Sequence, residues 1–477
     1  MSKKKYYLHI LMVCTAILYN ACSIPAVIHK SENKSTPLTF NNSVDTANSA
    51  NTSWRNYFND PFLIALIDTA LKNNQELNSM LQEMEIARNE VRARKGEYLP
   101  FVGLNGAAGA EKVGRYTSRG ASEATTEIKP GKEMPDPLPD YRLAVYASWE
   151  LDIWSKLRNA KKAAAVRYLS TIEGKNFMVT SLVAEIADGY YELLALDNQL
   201  EITRQNIDIQ TNALEIVKLQ KTAARVTELA VRKFEAEVLN TQSLQYGIQQ
   251  KIVETENRIN FLLGRFPQSI ARNDKAFSSF VPGTIHAGLP SQLLSNRPDI
   301  KQAELELTAA RLDVRVAKAK FYPALGIAAS LGYQAFNPSY FFRTPESILY
   351  AIAGDMVAPL VNRNAIKAAY YNANAKQIQA VYKYERTLTN AFAEVANQLS
   401  RLSNLQKSCE LKEKQVQALT DAIVISNDLF RSARANYMEV LMTQRDALES
   451  KLDLIETKMQ QRHAIVHVYR ALGGGWK

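Results

Sequence analysis

The stretch Arg142-Leu143-Ala144-Val145-Tyr146-Ala147-Ser148-Trp149-Glu150-Leu151-Asp152 alternates without a break. Leu143, Val145, Ala147, Trp149 and Leu151 fall on one face, and Ala144, Tyr146, Ser148, Glu150 and Asp152 on the other. That is the period-two pattern of a strand with one apolar face. Ala324 to Gln334 does the same, with Leu325, Ile327, Ala329, Leu331 and Tyr333 against small or polar partners, and residues 101–110 and 347–358 are Gly-rich or Ala-rich versions. A length of about 10 residues suits a tilted strand crossing a bilayer. Tyr116, Tyr141, Trp149 and Trp154 in one pair, and Tyr340, Phe341, Phe342 and Tyr350 in the other, suit an interfacial aromatic girdle. Four strands cannot close a transmembrane barrel, and an open edge in lipid leaves backbone groups unpaired at several kcal/mol each. If the strands span, the chain must oligomerise: two copies give eight strands, three give twelve and four give sixteen, and arithmetic does not choose among them.

Outward from the strands, the chain is helical and duplicated. An offset of 209 residues lays Ala184-Glu185-Ile186-Ala187 on Ala393-Glu394-Val395-Ala396 and Leu263-Gly264 on Leu472-Gly473, with Ala224-Arg225 on Ala433-Arg434 and Leu239 on Leu448 between them. Ile172, Val179, Ile186, Leu193, Leu200, Ile207 and Leu214 recur every seven residues, and so do Val381, Leu388, Val395, Leu402, Cys409, Val416 and Ile423. Such a seam needs a continuous helix of roughly 63 Å packed as in a coiled coil. Cys409 reads as a seam residue. After breaks near 221–226 and 431–436 a second heptad follows, Val231, Val238, Gln245, Ile252, Ile259 in one copy and Val440, Ala447, Leu454, Gln461, Val468 in the other. Each repeat is therefore expected to be a long helical hairpin.

The first residues combine Lys3, Lys4 and Lys5 with an apolar run, 8–18, too short to span a bilayer, and Ala21 precedes Cys22. This is a signal peptide whose cleavage exposes a cysteine. Leu18-Tyr19-Asn20-Ala21-Cys22-Ser23 resembles a bacterial lipoprotein cleavage box, which implies a diacylglycerol on the Cys22 thiol and a further acyl chain on its amine. Several chains anchor stably where one does not. Cys14 leaves with the signal, so no disulfide framework is available. Residues 23–53 are rich in Ser, Asn and Thr, the composition of a flexible tether, and the folded body is expected to start near Asp60.

The formal charge is +10, with the charges interspersed, which argues against a nucleic-acid partner. His463 and His467 lack a third ligand and the Glu of a zinc-protease pattern. No phosphate-binding Gly-rich loop and no nucleophile with a local base stand out. The chain is expected to be no enzyme, and to need no cofactor besides the lipid on Cys22.

Arg297-Pro298-Asp299-Ile300 followed by Ala303-Glu304, the closing Ala471-Leu472-Gly473-Gly474-Gly475-Trp476, and the aromatic-Pro approaches Tyr98-Leu99-Pro100 and Phe321-Tyr322-Pro323 resemble the signatures of the outer-membrane efflux protein family, in its TolC-like lipoprotein branch. The resemblance implies a mostly α fold with a membrane β-barrel part, in which a homotrimer builds a 12-stranded barrel and a 12-helix periplasmic tunnel. It further implies a passive exit duct for small molecules in the outer membrane, served by a periplasmic membrane-fusion adaptor and an inner-membrane RND-type pump. A pore constriction is implied at Met438, Glu439 and Met442, and adaptor-contact tips at Lys221, Ala224, Arg225, Arg431, Ala433 and Arg434, with Ala224 and Ala433 where Gly is usual. Plain helical packing reads Met438 and Met442 equally well, and a solvated face reads Glu439. Arg297 and Asp299 are expected to serve structure, with Pro298 opening a helix and the terminal glycines ending one.

The expected organisation is a signal peptide at 1–21, a lipid-anchored flexible segment at 22–59, a first repeat at 60–285 and a second at 286–477. The first holds strands at about 101–117 and 140–152 and helices at about 153–219 and 226–263; the second holds strands at about 323–335 and 347–358 and helices at about 360–428 and 436–472. A structural or adhesive envelope lipoprotein and a duct for secreted polypeptides are the rival readings. The alternation of Arg142 to Asp152 favours a conduit over a spacer.

Overall fold

The computed structural model describes residues 24–40, 46–273, 286–432 and 434–476; the expected signal peptide, Cys22 and Ala433 lie outside the described residues. A short helix α1 (Trp54–Tyr57) leads to α2 (Pro61–Asn73), opened by Pro61 at its first position and by Asp60, whose carboxylate accepts from the Phe62 N–H at 2.9 Å. Next come α3 (Gln75–Tyr98), β1 (Phe101–Glu111), α4 (Ser118–Glu123), a small hairpin of β2 (Glu127–Lys129) and β3 (Lys132–Glu133), and β4 (Leu138–Leu151). The two long helices α5 (Lys156–Thr222) and α6 (Glu228–Leu262) complete the first repeat. The second runs through α7 (Leu293–Asn296), α8 (Pro298–Ala319), β5 (Ala324–Ala335), β6 (Ile348–Val357), α9 (Asn364–Arg431) and α10 (Tyr437–Ala471).

Several boundaries differ from expectation, among them the helix expected at about 360–428, which runs Asn364–Arg431. β1 stops at Glu111 rather than near 117, because residues after it turn into α4, whose cap Thr117 accepts from the Gly120 N–H at 3.1 Å. The helix expected from 153 begins at Lys156: Ser155 takes φ 58, and the Asp152 carboxylate accepts from the Leu157 and Arg158 N–H groups at 2.9 Å.

The chain forms two compact units that cut across the repeats. Of the described residues, those within 24–31, 85–169 and 305–382 make up one, and those within 32–84, 170–304 and 383–476 the other. The first unit contains one antiparallel sheet in the order β1-β4-β5-β6, with Val145 opposite both Leu104 and Leu331, and Leu331 opposite Tyr350. Beside the strand ends Phe321, Tyr370 and Ala317 form a small core, onto which Ile24 and Val27 pack.

The second unit has two main cores at the same place in the two repeats. Ile186, Ile259 and Leu263 centre one; Val395, Val468 and Leu472, each 209 residues later, centre the other. Both come from the heptad seams, so the periodicity becomes packing of long helices against each other. Cys409 is buried in its seam.

The segment expected to be a flexible tether is a packed strap where it is described. Phe40 is 1% exposed and stacks on Phe392 with centroids 5.2 Å apart, the Asn33 N–H donates to Glu385, and Ala50, Trp54 and Phe58 are buried. The polar composition conceals this because a few well-spaced apolar side chains each fill a groove, so the folded body starts well before Asp60.

Candidate functional site

The sheet carries the first functional feature. Gly106, Leu104 and Val102 of β1, Leu143, Val145, Ala147, Trp149 and Leu151 of β4, Leu325 to Tyr333 at alternate positions of β5, and Ile348, Tyr350, Ile352 and Met356 of β6 share one face by register. That face is apolar and uncovered: Tyr350 is 80% and Ile352 79% exposed. The opposite face holds small and polar residues, among them Asn105, Ala144, Ser148, Ser330 and Ala351. β1 and β6 are the outer strands, each with one edge unpaired in the sheet. Trp149 donates its indole N–H to the Tyr98 carbonyl at 3.1 Å, and Trp154 donates to the Pro323 carbonyl at 2.8 Å while stacking on Tyr322. Two of the aromatic residues expected in a girdle thus clamp the Pro-marked turns from helix to strand.

The hairpin tips are the second feature. At the first, Ala224 sits at φ 56, its N–H bonds the Lys221 carbonyl, and the Arg225 N–H bonds the Gln220 carbonyl, both at 2.9 Å. This is the helix-ending motif that Gly usually supplies, here adopted by an alanine. At the second tip the Arg434 N–H reaches the Leu429 carbonyl at 2.8 Å, the corresponding bond. Asn436 then caps α10 by accepting from Met438 and Glu439 N–H groups at 2.8 and 3.1 Å. Lys221, Arg225, Arg431 and Arg434 are exposed, and Lys221 pairs with Glu228. Of the three residues expected at a constriction, Met438 packs with Tyr437 against the cluster of Leu214, Phe234 and Leu441, whereas Glu439 and Met442 are exposed.

The third feature is buried. Arg297, 6% exposed, donates to both oxygens of Asp299 at 2.7 and 3.0 Å, to Glu394 at 2.8 Å and to the Ala471 carbonyl at 2.8 Å. Arg470 reaches the other Glu394 oxygen at 3.0 Å. Burial alone would push the Glu394 carboxyl up, and the two guanidinium groups, Arg297 foremost, overcome it and hold the group below its ordinary value. The indole N–H of Trp476 closes the junction on the Gly473 carbonyl at 2.9 Å. Glu394 and Arg470 were not expected in this cluster; the sequence offered only the alignment of Glu394 with Glu185.

His463 and His467 serve packing: the His467 ring lies 3.1 Å from the Asp188 carboxylate and the His463 ring 3.1 Å from the Asp188 carbonyl. Among the described residues no group of three His, Cys, Asp or Glu is placed to hold a metal, and no helix is long and apolar enough to cross a membrane.

The family described as outer membrane efflux protein matches residues 66–265 and 289–474. The chain belongs to the outer membrane efflux protein family. Among individual relatives, the pyoverdine export outer membrane protein OpmQ of Pseudomonas aeruginosa is 26% identical over 424 residues, covering 89% of this chain and 87% of its own. The cation efflux system protein CusC of Escherichia coli O6:H1 is 26% identical over 476 residues, covering 98% and 99%. The open-state structure of the MtrE outer membrane channel of Neisseria gonorrhoeae superposes with a TM-score of 0.82 at 22% identity, covering 96% of this chain and 99% of that one. The protein is thus an outer-membrane component of an efflux system, with the helical and β fold of the family's channels.

Proposed function

We propose that three copies of this chain pair the free edge of β6 in one with that of β1 in the next, closing a twelve-stranded barrel in the outer membrane above a tunnel of helical hairpins. The observation that carries the reading is the sheet itself: an uncovered apolar face, with Tyr350 and Ile352 on its outer strand β6, between two unpaired edges. In lipid such edges must find partners, and in water such a face must find cover. Closure by neighbouring copies supplies both.

In this reading the duct is passive, and cargo reaches it from an inner-membrane RND-type pump through a periplasmic adaptor that meets the tips around Lys221, Arg225, Arg431 and Arg434. Glu439 and Met442, exposed at the start of α10, line the constriction. Acyl chains on Cys22 hold the strap to the membrane; Ile24 and Val27, just beyond it, pack beside Phe321, next to the strand ends. The names of OpmQ and CusC attach to pyoverdine and to cations respectively, which supports leaving cargo choice to the pump.

The test is the protein mass of the complex extracted from outer membranes in mild detergent, by size exclusion with light scattering corrected for bound detergent. Three chains support the reading. A well-behaved monomer in detergent-free buffer overturns it.

A further inference from the structure

Two apolar clusters hold α5, α6 and α10, and a gap separates them. The core around Ile186 and Ile259 reaches toward the tips only as far as Ile202 of α5, Ile252 of α6 and Ile455 of α10. The tip cluster joins Leu214 and Val217 of α5, Phe234 and Val238 of α6 and Leu441 of α10, with Met438 packed against it, and extends away from the tip no farther than Ala213, Val238 and Leu441. Ile248, Ala447 and Leu448 are buried in the intervening stretches but join neither cluster.

The gap is filled by a buried polar belt. Thr203, Asn206 and Gln210 of α5, Thr241 of α6, and Gln444 and Ser450 of α10 are all buried. Three of them make one layer by position: Gln210 lies four residues before Leu214, Thr241 three after Val238 and Gln444 three after Leu441, each about one turn farther from the tip than that cluster residue. Gln210 is 1% exposed, and neither its side-chain oxygen nor its nitrogen has a hydrogen-bond partner among the described residues. The side-chain oxygens of Gln444, 2% exposed, and of Ser450 lack one too. Thr203 and Thr241 donate to carbonyls of their own helices, those of Gln199 at 2.7 Å and Glu237 at 3.0 Å. These five side chains therefore occupy seam positions without tying one helix to another by a hydrogen bond.

A polar residue at a seam position lowers the stability of packed helices, and a buried polar atom without a partner forgoes the hydrogen bond that water would give it when exposed. The seam is thus least stable at the belt. We infer that the belt makes the tip cluster a unit that opens separately from the main core, and that the unpartnered amides of Gln210 and Gln444 set how readily it opens. Glu439 and Met442 stand on the same turns of α10 as Met438 and Leu441, so they are carried with the cluster. This rests on the proposed duct, in which those two residues line the constriction: movement of the tip unit widens the path, and water then reaches the two amides. Regions of few apolar contacts are the ones that open locally while the rest of a fold stays intact.

The experiment is amide hydrogen exchange of the purified full-length protein in detergent, paired with single-channel recording in planar bilayers. In the wild type, amides of residues 214–222, 228–238 and 437–441 are expected to exchange together and faster than those of residues 183–195. Gln210→Met and Gln444→Met keep the side-chain length and remove the polar atoms; combined, they are expected to slow the tip amides about tenfold, leave residues 183–195 unchanged and lower the mean conductance. Tip amides that exchange as slowly as residues 183–195 in the wild type, or that the double variant leaves unchanged or speeds, overturn the inference and leave the duct reading standing. Slower exchange with unchanged conductance also overturns it, by separating the belt from the constriction. Absence of any wild-type channel overturns the duct reading and this inference with it.

Discussion

Asn74 and Arg297 occupy the same place in the two repeats. The Asn74 side-chain amide donates to the Leu262 carbonyl at 2.9 Å, the Arg297 guanidinium to the Ala471 carbonyl at 2.8 Å, and those two carbonyls are 209 residues apart. Beside each bond a glycine passes close to backbone: a Cβ on Gly264 would lie 2.5 Å from the Asn73 carbonyl oxygen, and one on Gly473 2.6 Å from that of Asn296. Both glycines have positive φ, so the approach and the turn require the same residue. The first copy closes this joint with a neutral amide and the second with a buried ion cluster.

Replacing Arg297 therefore strands the Asp299 carboxylate and leaves Glu394 with Arg470 alone. Arg297→Met leaves Asp299 and Glu394 without their shared partner, and removing one member of a buried ionic cluster typically costs about 3–5 kcal/mol. Arg297→Lys keeps a charge but loses the bidentate grip on Asp299, so it should fall between the two. Asn74→Ala, which deletes a neutral hydrogen bond and a helix cap, is expected to cost about 1–3 kcal/mol. Thermal unfolding of the detergent-solubilised protein orders the variants; an Arg297→Met protein as stable as the wild type would remove the cluster from the stability of this joint.

The same cluster gives an acid limb to stability. The Glu394 carboxyl titrates below its ordinary value in the fold, so the unfolded chain binds the proton first and the contribution is fully present above the ordinary carboxylate range of about pH 4. It is lost as the pH falls through the folded value. Unfolding temperatures measured between pH 7 and pH 3 should drop more steeply for the wild type than for Glu394→Gln. Parallel curves would show that the carboxylate is not linked to folding.

The strap makes a different demand. Phe40→Ala removes a buried ring stacked on Phe392, a change that usually costs about 3–5 kcal/mol where the site cannot collapse. Because the contact fastens only one segment, the loss should appear locally, as faster protease cleavage between residues 24 and 54, ahead of any drop in the main unfolding transition. Equal cleavage of wild type and variant would mean that Phe40 does not hold the strap.

What was legible in the sequence follows from the range of each interaction. The alternation of β4 is a local consequence of one apolar face, and the heptads of α5 and α9 are a local consequence of one seam, so both could be read from single windows. The pairing of β4 with β5 joins Tyr141 to Ala335 across the whole first hairpin, and no local period encodes it. The buried cluster draws Arg297, Glu394 and Arg470 from three elements; the repeat pointed to Glu394 through Glu185, but its copies of Arg297 and Arg470 are Asn74 and Phe261, so the repeat concealed the cluster. The strap was misread because averaged composition hides isolated anchors such as Phe40.

Ala224 stores a small strain that can be relieved. An alanine at φ 56 carries a left-handed penalty of about 1–2 kcal/mol that glycine avoids, partly offset by the greater freedom of glycine in the unfolded chain. Ala224→Gly should therefore firm the first tip by about 1 kcal/mol, seen as roughly fivefold slower hydrogen exchange of the Arg225 amide, whose bond to Gln220 closes the turn. Faster exchange in the variant would mean that the alanine methyl contributes more than its backbone conformation costs.

The constriction reading can be tested at the start of α10, where the three residues implied there no longer stand alike. Met438 packs among Tyr437, Leu441 and Phe234, so Met438→Ala should act mainly on the stability of the tip, at about 2–5 kcal/mol if the site stays rigid. Glu439 and Met442 are exposed, and Glu439 spends only its backbone N–H on the Asn436 cap, leaving its carboxylate outside that bond. Three such carboxylates around one axis would both narrow the path and repel one another, and the concentrated negative charge would attract a cation. Glu439→Ala removes bulk and charge together and is expected to raise single-channel conductance, whereas Glu439→Gln keeps the bulk and should move conductance less. Unchanged conductance in Glu439→Ala would place this side chain on a solvated outer face, and the search for the narrowest ring would then pass to Met442.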